Sequence, residues 1–318
     1  MTSILADNLT KKFGDLYAVD SLNLAVEKEI FGLLGPNGSG KTTTVLMLTT
    51  LLAQTTGTAS ICGHDTRREP DLVRECISYV PQEMAVDPNL TGRENLLIFA
   101  RLYGIPNPKD KVDELLGIME LTDRAHDLAK TYSGGMRRRL ELAEALVHEP
   151  EVIFLDEPTL GLDVGARQNI WQHIHALNKK GMTIFMTTHY MDEADKYCDR
   201  VGIISHGKVV ALGSPAELKA RLMNTVITVT LEGNYSPVQL DGLVFVGQSG
   251  NAYAFTAENG SEALPLLADA LGRAGNRVKA MSLREPSLDD VFLQSVGKQE
   301  EPRGFEEMKF RMMLHRRH

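Results

Sequence analysis

The sequence predicts an α/β fold with a parallel sheet, followed by a smaller α+β domain, and three stretches predict it. Residues 29–44, EIFGLLGPNGSGKTTT, run from an apolar strand through a glycine-rich turn into a helix start. A second apolar run, EVIFLDEPT, breaks into the adjacent acids Asp156 and Glu157, and beyond Leu222 short strand-like segments alternate with two helical ones. Apolar runs of this kind are the mark of strands buried on both faces, and in such sheets ligands gather at the carboxyl ends of the strands.

Taken in order, ILADNLTKKFG and AVDSLNLAV read as strands around a turn at Gly14 and Asp15. Phe13 lies in the loop before the second strand and Val19 shortly after. Phe13 can stack on an adenine ring with Val19 packed beside it, or it can be a plain core aromatic; periodicity leaves both open. The loop that follows, Gly35, Pro36, Asn37, Gly38, Ser39 and Gly40, leads into Lys41, Thr42 and Thr43 and fits G-x-x-x-x-G-K-[ST]. Its glycines let the backbone turn where a Cβ would clash, so that amides from about Gly38 to Thr43 point at a phosphate chain. Lys41 then supplies a charge for β- and γ-phosphates, Thr42 a hydroxyl for magnesium, and the helix its positive end.

TASICGHD is a small strand, and CISYVPQE is a strand that could adjoin the phosphate loop, from which Gln82 could reach a metal ion or water if its loop folds back. From about Thr91 to Ala129 the apolar positions recur at i, i+3 and i+4, which predicts a helical insertion over about 91–140. It runs into Ser133, Gly134, Gly135 and Met136, which head a helix closed by Pro150 and form a second anion-ready helix start. Arg137, Arg138 and Arg139 come next; three arginines on a helix are read as a solvated face. In EVIFLDEPT, Asp156 can hold magnesium and Glu157 can polarise an attacking water. Gly161, Leu162 and Asp163 form a loop, a helix succeeds it, MTIFMTTH is a strand ending at His189, and VGIISHGKVVALG reads as one further strand. Beyond Leu222 come strands with a turn near Gly247 to Asn251, a helix over SEALPLLADALGRAG, a strand, and a final helix. Val226, Val229, Leu231, Phe255, Leu267, Leu271, Val291 and Phe292 are expected to build a core there. From Gly297 the tail is acidic and then basic; Phe305, Met308 and Met312 share a helical face, but a disordered, solvated tail is the preferred reading.

The chain has 318 residues, 43% apolar and 24% charged, which is ordinary globular usage. No apolar run approaches the roughly 18 residues of a membrane span, and the start has no signal-peptide pattern, so neither a span nor export is expected. A net charge of −8 argues against nucleic acid as the main ligand. Cys62, Cys76 and Cys198 lack metal-ligand spacing and are expected to be free, buried thiols. His173 and His175, two apart, fall on different faces of a helix.

The order of these motifs closely resembles the nucleotide-binding subunit of ABC transporters, over about Ile4 to Leu222. The resemblance implies a P-loop ATPase core of ABC type with a helical subdomain, ATP and Mg2+ as ligands, and a role for each motif. Phe13 becomes the adenine-stacking aromatic, Gly35 to Thr43 the Walker A loop, Gln82 the Q-loop residue, and Ser133 to Met136 the signature. Asp156 and Glu157 become the Walker B pair, Asp163 the D-loop acid, and His189 the switch histidine. The commonest signature is LSGGQ and this chain has YSGGM, so Ser133 and the amides of Gly134 and Gly135 must carry the contact that a glutamine side chain would share. YSGGMRRRLELA and the ending REPSLDDVFL resemble the exporter branch of the daunorubicin-resistance ATPases. That resemblance implies an ATPase domain over 1–222, an accessory domain over 223–296 and a charged tail over 297–318. It further implies a homodimer with composite sites, a separate polytopic permease, and a position on the cytoplasmic face of the membrane. The alternative is a soluble ABC-type ATPase acting on nucleic acid or ribosomes, although its usual tandem units, coiled-coil insertion and zinc cysteines are absent from this sequence.

Overall fold

The computed structural model describes residues 2–222, 225–232, 236, 238 and 240–297. The tail expected beyond Gly297 lies outside the described residues. The first strands are β1 (Ile4–Phe13), β2 (Leu16–Val26) and β3 (Ile30–Leu34), and helix α1 (Lys41–Leu48) follows the phosphate loop. Next come β4 (Thr56–Ile61), β5 (His64–Asp65), α2 (Pro70–Cys76) and β6 (Ile77–Val80). The helical insertion contains α3 (Gly92–Leu102) and α4 (Pro108–Ile118), and α5 (Gly134–Ala145) follows it. Then come β7 (Val152–Asp156), α6 (Val164–Lys179), β8 (Thr183–Thr188), α7 (Met191–Tyr197), β9 (Arg200–Ser205) and β10 (Lys208–Gly213).

These elements make two sheets. One has the order β2-β1-β4-β5 and is antiparallel; the other has the order β10-β9-β3-β8-β7-β6. In the second, β9, β3, β8, β7 and β6 run parallel. Every residue of β3, β7 and β8 is buried, including Thr183, Thr187 and Thr188 of β8 and Asp156 at the end of β7. Register places Phe31, Phe185 and Phe154 side by side, with the Phe185 ring 5.3 Å from each of the others. Parallel alignment brings the carboxyl ends of β3, β7 and β8 to one edge, where the phosphate loop, Glu157 and His189 follow directly.

Two expectations are corrected here. β6 pairs only with β7, at the edge of the sheet, and does not adjoin β3; two buried strands separate them. VGIISHGKVVALG is two strands, not one: His206 (φ 48) and Gly207 (φ 78) both take left-handed backbone and turn β9 into β10. Paired positive φ at a residue-glycine step is the geometry of a two-residue hairpin.

The helices start where the sequence supplies caps. Thr91 and Glu94 form a reciprocal capping box at α3, Ser133 caps α5, and Asp163 caps α6. Among the described residues no helix is long and apolar enough to cross a membrane. The three cysteines are free; Cys198 is buried and Cys62 and Cys76 are half-buried rather than fully enclosed.

The chain divides into two compact units after Leu212, earlier than the Leu222 boundary expected. The residues between are helix α8 (Pro215–Ala220), started by a Ser214–Glu217 capping box, and it packs on the second unit's last helix. That unit continues with β11 (Thr225–Glu232), β12 (Leu243–Ser249), β13 (Ala252–Ala257), α9 (Gly260–Arg273), β14 (Arg277–Arg284) and α10 (Leu288–Gly297). Its antiparallel sheet has the order β12-β13-β11-β14, and Leu267 and Leu271 of α9 close the core over Ile227, Val229 and Phe255. All eight apolar residues expected to form this core are buried.

Candidate active site

At the end of β3 the chain enters a loop that only glycine allows at two points. A Cβ on Gly35 would lie 2.3 Å from the Ile204 carbonyl, and one on Gly40 (φ 109) 2.3 Å from that of Ala18. The β9–β10 hairpin braces this loop, since the Gly207 amide donates to the Ser39 carbonyl (2.9 Å) and the Asp20 amide to that of Gly207 (2.8 Å). Gly38 (φ 79), by contrast, would meet nothing within 4 Å, because it faces a cleft of about 430 Å³. Asn37, Gly38, Gly40, Lys41, Thr42 and Thr43 form one wall of that cleft; Gln82, Glu157, His206 and Gly207 lie on others. Pro36 is exposed beside it, and Ser39 is buried beneath.

Lys41 lies under the loop, its Nζ donating to the carbonyls of Gly35 (2.8 Å) and Pro36 (3.1 Å), with Glu157 Oε1 at 3.6 Å. Burial pulls its pKa below the usual lysine value, while Glu157 and Asp156 act in the opposite direction. Asp156, the last residue of β7, is 1% exposed. It accepts hydrogen bonds from Thr42 Oγ1 (3.0 Å) and Thr187 Oγ1. The hydroxyl and the carboxylate expected to hold magnesium are therefore in direct contact. Asp156 is not part of the cleft wall and reaches it through Thr42. With Gln82 on the same cleft, these are hard oxygen donors few enough that phosphate and water would complete a magnesium shell.

Glu157 follows at φ 47, a left-handed backbone that is costly for a residue with a Cβ. Its amide donates to both the carbonyl and the hydroxyl of Thr187, each at 3.1 Å, which holds the turn. The carboxylate lies between two cationic or donor groups, Lys41 on one side and His189 Nδ1 (3.0 Å to Oε2) on the other. A carboxylate so fixed can accept a hydrogen bond from a water molecule in the cleft.

The segment carrying Gln82 is held by residues misread in the sequence. Arg138 is 3% exposed, not solvated. Its guanidinium donates to the carbonyls of Pro81 (2.8 Å), Asp156 (3.1 Å) and Pro158 (3.0 Å) and to Glu141 Oε2 (2.9 Å). Glu141 Oε1 in turn accepts from the Ala85 amide at 2.7 Å. One buried ion pair on α5 thus grips the Gln82 loop at both ends and the end of β7. Arg139 is half-buried and donates to the Met119 carbonyl (2.9 Å). Of the three arginines, only Arg137 has an Nε buried without a hydrogen-bond partner among the described residues. The signal available in sequence was the i, i+3 spacing of Arg138 and Glu141.

Ser133, exposed, accepts from the Met136 amide (3.2 Å), and Gly134 and Gly135 open α5. Gly135 is required by packing as well, because a Cβ there would lie 2.8 Å from the Ala166 Cβ. Asp163, also exposed, accepts from the Ala166 amide at 2.8 Å. Neither Ser133 nor Asp163 lines the cleft of its own chain. Two residues that sequence reasoning passed over tie this region to His189. Arg167 donates to the Leu162 carbonyl (2.9 Å), sits over the Tyr190 ring (4.6 Å) and faces Glu193 (3.6 Å); Glu193 accepts from Thr159 (2.6 Å) and Trp171 (3.3 Å).

Leu16, Tyr17 and Ala18 form another wall of the cleft. Phe13 is 49% exposed at the end of β1, with Lys11 Nζ 5.0 Å from its ring, but does not line this wall. Val19 is fully buried in the core below Gly40, so it supports the loop and presents nothing to a ligand. Tyr17, two residues earlier and 48% exposed, is an aromatic on the cleft that sequence reasoning missed.

The chain is similar to known proteins over both of its units. A family model described as "ABC transporter" matches residues 19–160, and one described as "ATP-binding protein DrrA1-3-like, C-terminal domain" matches 213–296. The daunorubicin/doxorubicin resistance ATP-binding protein DrrA of Streptomyces peucetius is 40% identical over 96% of this chain and 96% of its own length. The Nod factor export ATP-binding protein I of Burkholderia lata is 38% identical, over 92% of this chain and 96% of its own. Among solved structures, a dimeric post-hydrolysis state of an ATP-binding cassette bound to ADP and Pi is similar with a TM-score of 0.60 and 28% identity, over 66% of this chain and 98% of that one.

Proposed function

Because this chain belongs to the ATP-binding subunits of ABC transporters, with a DrrA1-3-like C-terminal domain, we propose that two copies close head to tail around two ATP molecules and drive a separate membrane-spanning permease. The chain is an ATPase subunit of an exporter; drug-like or other amphipathic compounds are the cargo this reading favours, in keeping with the resistance proteins among its relatives. The nucleic-acid alternative finds no support among those relatives, which are resistance and export proteins.

The observation that carries the reading is the position of Glu157 between Lys41 and His189, at the mouth of the phosphate loop. In the mechanism, the loop amides and Lys41 bind the β- and γ-phosphates. Tyr17 offers its face to the adenine. Magnesium, when bound, neutralises phosphate oxygens, and Thr42, Asp156 and Gln82 would hold it. Glu157 orients or deprotonates the attacking water, and His189 fixes the carboxylate and offsets charge developing on the γ-phosphate. Ser133 and the Gly134 and Gly135 amides of the second copy cap the same phosphate, with Asp163 at the junction. That assignment explains why Ser133 and Asp163 are exposed and off their own cleft. Closure is the power stroke, release of phosphate reopens the dimer, and the motion passes through Gln82 and the helical insertion to the permease. The chain works on the cytoplasmic face of the membrane, where ATP is supplied.

A mixing experiment tests the shared site. Lys41→Ala and Ser133→Ala chains are each crippled at both sites as homodimers, but a heterodimer has one intact and one doubly damaged site. ATPase activity above the mean of the two separate variants is expected. Its absence, with heterodimers demonstrated by mass, would count against composite sites.

A further inference from the structure

In the first unit, the β4–β5 hairpin and the end of α2 bring two thiols together. Ile61 of β4 pairs with His64 of β5, so Cys62 and Gly63 are the two residues of the turn, and both take left-handed backbone (φ 52 and 87). Such a turn favours asparagine, aspartate or glycine; a cysteine there holds a strained backbone, and strain of this kind gathers at sites with a task. The Ser3 carbonyl fixes the Cys62 amide at 2.8 Å. Cys76 is the last residue of α2, which packs on β4 and β5, and its carbonyl accepts from the Glu151 amide at 2.9 Å.

The two side chains rest on the same apolar core cluster and hydrogen-bond to each other, yet both are only half-buried and open to a small solute. Contact gives the thiols different characters. The Cys62 hydrogen bond holds Cys76 below the usual thiol range, although burial, Glu151 and Glu75 act in the opposite direction. The Cys76 hydrogen bond, with burial and the Glu151 charge, pushes Cys62 up. Neutral Cys76 donates to the Val73 carbonyl (3.1 Å); once ionised, it accepts from Cys62. A thiol favoured as thiolate beside a protonated partner suits a pair in which one sulfur is oxidised first and the other resolves it. Cys198 is the contrast: it is 8% exposed, burial pushes its thiol up, and its sulfur neighbour is Met186 at 4.0 Å.

We propose that Cys62 and Cys76 are a reversible oxidation site for hydroperoxides, closing to a disulfide within one chain. The Cys76 thiolate attacks the peroxide: an S–O bond forms as the O–O bond breaks, sulfur loses two electrons, and the released alkoxide or hydroxide takes up a proton to leave as alcohol or water. Cys62, giving up its proton, then attacks the sulfenic acid on Cys76; the S–S bond forms, the S–O bond breaks, and hydroxide leaves with that proton as water. A dithiol reductant restores both thiols by exchange. The disulfide joins the turn of the antiparallel sheet to the residue from which β6 starts, and β6 leads to the Gln82 loop. This site is independent of the transport reading, since neither cysteine lines the active-site cleft.

The test uses the full chain, reduced, freed of reductant, treated with a small excess of hydrogen peroxide, then alkylated and mapped by peptide mass. The expected result is a Cys62–Cys76 linked peptide pair, lighter by two hydrogen atoms than the separate peptides and undone by dithiothreitol, with Cys198 still a thiol. In Cys62→Ser the sulfenic acid has no partner, so dimedone should label Cys76 at least about tenfold more than Cys198. In urea that preference should vanish, with Cys198 labelled within about twofold of Cys76, because burial and contact no longer distinguish them. A disulfide between two chains, a link to Cys198, or equal labelling of Cys76 and Cys198 in the folded variant overturns the proposal. Three unmodified thiols after a peroxide dose that oxidises free cysteine in the same tube overturns it as well.

Discussion

Replacing Glu144 with glutamine should change stability in a pH-dependent way whose size can be worked from the structure. The side chain is 6% exposed, and burial together with the Glu141 carboxylate moves it from 4.5 up to about 8. Below pH 4.5 the acid is protonated in both the folded and unfolded chain and has no effect. As pH rises from 4.5 towards 8, the unfolded chain releases the proton while the native state keeps it, so stability falls with pH and levels off above about 8. At about 1.36 kcal/mol per pH unit, the native state loses roughly 3 kcal/mol by pH 7 and about 5 kcal/mol at the plateau. Glutamine has no such titration. The difference in unfolding free energy, variant minus wild type at the same pH, should therefore move in favour of the variant by about 3 kcal/mol between pH 4.5 and pH 7. Urea unfolding at a series of pH values measures it, followed by the fluorescence of Trp171, the only tryptophan and a buried residue of the first unit. A difference that stays flat across this range, or moves the other way, would refute the assignment of a raised, buried carboxyl.

Arg138→Met removes the donor to three carbonyls and leaves Glu141 buried with its charge; urea unfolding should show a loss of about 3–5 kcal/mol, and unchanged stability would place Arg138 outside the core. Arg167→Met frees the Leu162 carbonyl and the Tyr190 ring, so kcat should fall about tenfold with ATP affinity kept, in line with lost positioning; loss of affinity without loss of kcat would contradict this. A chain ending at Leu212 keeps every residue of the cleft, the last being Gly207. It should fold and bind magnesium-ATP but dimerise or couple to the permease less well, as nucleotide titration, mass of the ATP-bound species and partner-stimulated hydrolysis would report; an ATP-blind or aggregated truncate would contradict that division.

The parts of the fold that were legible in sequence are those in which one local pattern has one physical solution. Apolar runs that break into glycine, acid or threonine-histidine mark buried strands of a parallel sheet, and residues beyond their ends, Lys41, Glu157 and His189, come together at one edge. The apolar positions of the second unit were legible for the same reason. The hidden features depend on tertiary partners. Arg138 carries the charge of a surface residue and is buried because three backbone carbonyls and Glu141 converge on it. Val19 and Tyr17 differ by two positions on β2; the hairpin's twist and its register shifts against β1, not the alternation alone, decide which faces the cleft. β6 carries the Gln82 loop from the sheet edge because strand order is a property of the whole chain. The His206–Gly207 turn was readable from its residue-glycine step but was masked by the apolar runs on either side.

The most direct measurement is phosphate release by Glu157→Gln. Its amide keeps the size of the carboxylate and the contact with His189 but cannot accept a proton from water. ATP binding should be retained while the rate of release falls by about two to four orders of magnitude, and the ATP-bound dimer should accumulate. Turnover within a few-fold of wild type would show that the carboxylate between Lys41 and His189 is not the group that activates water.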